Sequence, residues 1–182
     1  MLSLTSHALS LQNEEPFYYP NASMDETHQY DTPADLNLYS SMVTKDEYQN
    51  VLTQLVGQDS LNMTDQVYSA YYEAINKDIQ SFSGKKITLN GFVYKNRSLD
   101  YNQVVIGRFL ITHCIADASY IGFLTELNQA PPWPENTWVA VTGTIKTTAY
   151  EGVKLPTIQV EEWEMINEPD QPYVYPMHIK IR

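Results

Sequence analysis

From Lys86 onward the chain changes period. Ile87, Leu89, Gly91 and Val93 fall on one side of an extended segment, with Thr88, Asn90 and Phe92 on the other. That two-residue repeat is the mark of a half-buried strand. Four further strand-like stretches follow, at 104–112, 120–124, 138–147 and 155–166, with no repeated helical crossover between them. The pieces that join them are turn material. Residues 96–102 are polar, Pro131-Pro132-Trp133-Pro134 is a rigid connection, and Tyr150-Glu151-Gly152 suits a hairpin turn. Pro156 is tolerable near the start of the last stretch, and Pro169 stands just past its end. Strands following one another at this spacing pair mostly antiparallel and must hide their edges.

A small closed antiparallel barrel meets that demand. Gly91 in the first strand and Gly143 in the fourth suit the coiled strands such a barrel needs. The expected class is α+β, mainly β: a five-stranded barrel like the oligonucleotide/oligosaccharide-binding (OB) fold, preceded by a short helical hairpin. A five-stranded sandwich is the alternative, and the pattern alone does not choose between them.

The helical hairpin is read from 44–56 and 64–80. Thr44 with Glu47 three residues on is a capping-box signature, and Tyr48, Val51, Leu52, Leu55 and Val56 recur on one face. Gly57 suits the C-terminal cap. In the second helix Val67, Tyr71, Ala74 and Ile75 form the apolar stripe, with Tyr68 and Tyr72 flanking it. A polar turn is expected between the two. This gives an acidic linker or loosely ordered arm at 1–35, a helical segment at 36–82, the barrel at 83–168 and a tail at 169–182. Phe17-Tyr18-Tyr19 is expected to dock, because three adjacent aromatics are costly in a solvated tail.

Charge narrows the partners. The 182 residues carry 11 Lys and Arg against 22 Asp and Glu, a net charge of -11. No Lys or Arg precedes Lys45, so the first 44 residues hold -6 of that. A surface this acidic opposes binding to nucleic acid or to anionic lipid, both of which need basic groups. No apolar run reaches the roughly 20 residues of a bilayer span, and the first residues do not read as a signal peptide. A single cysteine, Cys114, rules out an intrachain disulfide and a four-cysteine zinc site.

His113, Cys114 and Asp117 are the densest set of candidate ligands, for a divalent metal such as zinc or for a small molecule. Against this stands packing: a lone cysteine is more often a small buried residue, and adjacent strand residues face opposite sides. Arg108 is a candidate anion holder, or a partner for Asp117; a structural ion pair on the barrel rim is the plainer reading. Trp133, Trp138 and Trp163, with Tyr94, Tyr101, Tyr120 and Tyr150, can line a groove or simply pack. No complete catalytic set can be assembled, and with seven glycines a phosphate-cradling loop has little to be built from. The chain is read as not an enzyme.

Four ordered blocks carry a family resemblance: GKKITLNGFVY at 84–94, RFLITHCIADA at 108–118, NTWVAVTGTI at 136–145 and PDQPYVYP at 169–176. Together they resemble the YcgQ-like candidate permease subunits of bacteria. In that family two transmembrane helices typically precede a soluble C-terminal domain, and a multi-span permease is encoded alongside. The resemblance implies a non-enzymatic accessory domain that binds or regulates a partner multi-span membrane permease. It implies membrane anchoring through helices absent from this chain, and an extracytoplasmic position. His113 stands where the family pattern has a first cysteine, which weakens a paired-cysteine site and leaves a metal site open. Two alternatives are a free-standing metal or ligand module centred on His113, Cys114 and Asp117, and a glycan- or oligonucleotide-binding barrel.

Overall fold

The computed structural model describes residues 42–113, 117–150 and 152–179. The arm expected at 1–35, the docking of Phe17-Tyr18-Tyr19, and Cys114 lie outside the described residues. The fold is α+β and mainly β. Helix α1 (Lys45–Gly57) begins as its sequence signals. Thr44 Oγ1 accepts from Glu47 N at 3.2 Å, and Glu47 Oε2 accepts from Thr44 N at 2.7 Å. Gly57 is the last helical residue; the cap is Gln58, in an extended conformation.

The polar turn expected after α1 is instead a strand, β2 (Ser60–Met63). Its alternation hides Leu61 and Met63 and exposes the residues between, and it runs parallel to the first half of β3 (Lys86–Tyr94). The second helix is also shorter than its periodicity suggests. α2 (Tyr68–Lys77) stops at Asp78, whose carboxylate accepts from Ser81 N and Oγ and starts a separate turn, α3 (Ile79–Phe82). Side-chain oxygens of this kind compete with helix continuation.

β3 pairs antiparallel with both β4 (Gln103–Leu110) and β6 (Trp138–Tyr150). β4 pairs antiparallel with β5 (Ser119–Glu126), and β6 with β7 (Val153–Met165). β5 and β7 meet in a short parallel ladder, Leu124 with Thr157 through Glu126 with Gln159. The pairings therefore run β3–β4–β5–β7–β6 and return to β3. The arrangement is not wholly antiparallel as expected, because β5 and β7 are not consecutive hairpin partners. The tail expected after 168 contributes two short strands. β8 (Tyr173–Val174) runs parallel to the end of β4, and β9 (His178–Ile179) pairs with β1 (Met42–Val43).

Tight curvature is written in glycine. A Cβ on Gly91 would lie 2.6 Å from the Gly107 carbonyl oxygen, and one on Gly122 would lie 2.7 Å from that of Ile106. One on Gly107 would overlap the Ile121 carbonyl. Across β3, β4 and β5 the strands approach more closely than any side chain permits. In β6 the register shifts between Thr142 and Gly143.

One core gathers Ile87, Leu89, Val93, Ile106, Phe123, Val139, Val141 and Ile158 of the seven-strand sheet with Tyr68, Tyr72 and Ile75 of α2. Tyr68 and Tyr72 do not flank the helix's buried face; they are in it, at 0% and 6% exposure. Burial pushes the Tyr72 phenol up from 10.0 to about 12, and pushes Tyr68 up further, against the lowering effect of Arg108. A raised phenolic pKa favours the neutral form in the folded chain. The stability it contributes is complete below about pH 10 and is lost as pH rises through the folded value. Melting temperature should therefore fall steeply from about pH 10 to 12, with tyrosinate absorbance appearing together with unfolding. Phenols that all ionise near pH 10 in a still-folded chain would contradict this packing.

Candidate ligand cleft

Arg108 is the first sequence-selected residue the fold decides. It lies inside, at 1% exposure, rather than on a rim, and it does not meet Asp117. Nη1 donates to Asp65 Oδ1 at 2.9 Å and Nε to the Pro172 carbonyl at 2.9 Å, while Nη2 donates to the Gln171 carbonyl. The guanidinium lies 5.2 Å from the Trp138 ring centre and 5.9 Å from that of Tyr68. Its donors are spent on holding the segment before β8, a task suited to a planar fork.

Asp117 is a turn-capping carboxylate. It accepts from Thr112 N at 3.1 Å, from His113 N at 2.8 Å, and contacts His113 Nδ1 at 3.0 Å. The His113 side chain is 85% exposed. Among the described residues no group of three or more His, Cys, Asp or Glu side chains gathers for a metal ion. Cys114, the third member of the expected set, is not among those residues.

The aromatic residues divide. Trp133 is buried and meets Trp163 edge-on, with ring centres 5.1 Å apart. Trp138 packs on Phe92, and Tyr101 stands out at 78% exposure. Tyr94, Tyr120 and Tyr150 come together around a cleft of about 210 Å³, with Asn96, Ser98, Leu99, Val105, Gly122, Leu124 and Leu155.

Strand register explains where this cleft sits. Val93, Ile106 and Phe123 are cross-strand neighbours in the core. The residues one step along, Tyr94, Val105 and Leu124, are neighbours on the opposite face. Gly122 has no side chain, so the space between Tyr120 and Leu124 stays open. The β3–β4 connection supplies Asn96, Ser98 and Leu99, and Tyr150, the last residue of β6, closes the other side.

The two flanks are joined. Ser98 Oγ and Tyr150 Oη lie 2.7 Å apart. Asn96 Oδ1 accepts from Ser98 N at 2.9 Å and from Ser98 Oγ at 2.8 Å, an Asx-type turn that fixes the serine. Tyr120 Oη donates to the carbonyls of Phe92 (3.0 Å) and Val105 (3.3 Å). Burial pushes that phenol well above its ordinary pKa, so it stays neutral. Sequence reasoning found the three tyrosines but missed Asn96, Ser98, Leu99, Val105, Gly122, Leu124 and Leu155. The polar 96–102 stretch between two strands was the available signal for the first two.

Comparison with known proteins agrees with the motif blocks. Residues 38–176 match the family model described as the DUF1980 C-terminal domain. The protein YcgQ of Bacillus subtilis is 33% identical over 147 residues, covering 78% of this chain and 50% of its own length. A Streptococcus mutans protein, named as a candidate subunit of a two-component membrane permease complex, is 33% identical over 159 residues. That match covers 84% of this chain and 57% of the relative, so the chain spans about half the length of the relatives it matches. Among solved structures, an Entamoeba histolytica asparaginyl-tRNA synthetase aligns at 15% identity over 50% of this chain and 23% of that one. Its TM-score is 0.32. On the match over residues 38–176 and these two relatives, the chain belongs to the DUF1980 C-terminal domain family and is similar to YcgQ.

Proposed function

We propose that this chain is the non-enzymatic accessory domain of a membrane permease complex, built as an OB-type barrel that binds or regulates its permease through the cleft face. The observation that carries it is the cleft's position, on the outer face of β3, β4 and β5 and between two loops. A five-strand ring with the order β3–β4–β5–β7–β6 supports the OB reading. In such barrels the second and third strands, with the first and last loops, receive the ligand. The permease comes from the Streptococcus mutans relative's name. Absence of chemistry is supported by how the polar residues are used: Arg108 holds backbone carbonyls and Asp117 caps a turn.

The family's build supports a membrane anchor outside this chain, with the domain extracytoplasmic. Among the described residues no helix is long and apolar enough to cross a membrane. A zinc reading on His113, Cys114 and Asp117 keeps one supporting contact, His113 Nδ1 to Asp117. Asp117 already accepts two backbone donors, so we prefer the cleft.

The test is to tag the full-length protein in its native host, solubilise it gently and identify what co-purifies. A multi-span permease in stoichiometric yield is expected, with transport altered when this domain is deleted. A protein that purifies alone, and whose deletion leaves transport unchanged, would overturn the reading.

A further inference from the structure

We propose that the cleft takes a small uncharged molecule with a hydroxylated six-membered ring, gripped between the β3–β4 connection and the start of the β6–β7 hairpin. This deepens the accessory-domain reading by naming its ligand class. Three observations carry it.

The first is size. A cavity of about 150 Å³ with an apolar lining is enough to bind benzene. This one holds about 210 Å³, room for such a ring and one or two substituents. The second is charge. None of the ten lining residues is Asp, Glu, Lys, Arg or His, and the Tyr120 phenol is held neutral. An anion or cation entering would lose its hydration and gain no counter-charge, a strongly unfavourable exchange. That disfavours phosphates, nucleotides and metal ions alike.

The third is the direction of the hydrogen bonds. Ser98 Oγ donates to Asn96 Oδ1. Its contact with Tyr150 must therefore use the Tyr150 hydroxyl as donor. Tyr150 Oη keeps acceptor capacity, and Asn96 keeps the donors of its amide nitrogen. A ligand hydroxyl can give to the first and take from the second, while its ring lies on Val105, Leu124 and Leu155. A specific cleft needs few polar groups of this kind within apolar walls.

The experiment is an amide and side-chain NMR titration of the full 182-residue chain with p-cresol, benzoate and benzylamine, three single-ring probes that differ in charge. p-Cresol should perturb resonances of Tyr94, Val105, Tyr120, Leu124 and Tyr150, and both charged probes should bind about tenfold more weakly or less. Ser98 is exposed on its loop, so Ser98→Trp should alter resonances only around 96–102 and Tyr150, where its hydroxyl bonds are lost, keep those of the β4–β5 ladder, and fill the mouth, weakening p-cresol by about tenfold. Tyr150→Phe should weaken p-cresol and leave toluene unchanged. Equal binding of the charged probes, perturbations elsewhere, or none up to the solubility of p-cresol would overturn the proposal. Any of these would leave the permease association to be judged by its own co-purification, and loss of that association would leave the titration standing.

Discussion

Replacing Gly107 with Ala is expected to cost the domain more than about 4 kcal/mol, enough to leave it largely unfolded. The added methyl overlaps the Ile121 carbonyl and stands 2.6 Å from Gly122 Cα. Both obstacles are backbone, so no side chain can swing aside. The backbone cannot easily retreat either, because β4 and β5 are paired continuously from Gln103–Glu126 to Leu110–Ser119. Moving them apart breaks ladder hydrogen bonds on both sides of the glycine and relaxes the curvature that lets β4 also reach β3. Gly57→Ala is the contrast: nothing lies within 4 Å of a Cβ there, and Gly57 is helical. That substitution should be neutral or stabilise by up to about 1 kcal/mol. Thermal melts of the two variants decide the matter. A Gly107→Ala chain that melts within a few degrees of the parent would mean that the three strands are not drawn so close.

The features legible in the sequence were the local ones. Alternation at Ile87, Leu89 and Val93 placed β3 and its inward face, and Thr44 with Glu47 placed the start of α1, because each signal involves residues a few positions apart. β2 was missed because four residues give two alternations, too few to separate from a polar turn. The break at Asp78 was missed because the 3.6-residue pattern runs across it and only the carboxylate's bond to Ser81 ends the helix. Tyr68 and Tyr72 were placed beside the stripe, since an amphipathic phenol fits a flank as well as a core. The cleft is the most instructive case. Val105 and Leu124 are buried, at 8% and 2% exposure, and only the register Tyr94–Val105–Leu124 puts them on the face opposite the main core, along the cleft. Register between strands some 20 residues apart depends on turn geometry and on glycines such as Gly122, not on either strand alone.

Arg108 shows the same limit with a larger energy attached. Its polar partners, Asp65 and the carbonyls of 171–173, lie 43 to 65 residues away in sequence. Arg108→Met should cost about 3–5 kcal/mol, the range for removing one member of a buried charged network, and lower the melting temperature by about 10 °C or more. Asp65→Asn should cost about 1 kcal/mol or less, because the Asp65 side chain is 46% exposed and its attraction is screened by water. The asymmetry follows from what each residue leaves behind. Without the guanidinium, backbone carbonyls at Gln171 and Pro172 lose their donor; with Asn at position 65, an amide oxygen can still accept from Nη1. Arg108→Lys discriminates further. Lysine restores a charge but not a planar fork, so it cannot serve Asp65 and the carbonyls together. Its signature should be local: faster amide exchange where β8 pairs with β4, at Phe109–Tyr173 and Leu110–Val174, with the β4–β5 ladder still protected. That strap runs on to β9 and its pairing with β1, so loosening at one arginine should reach both short ladders. Equal losses for Asp65→Asn and Arg108→Met would show instead that the ion pair, not the grip on the strap, is what the buried charge supplies.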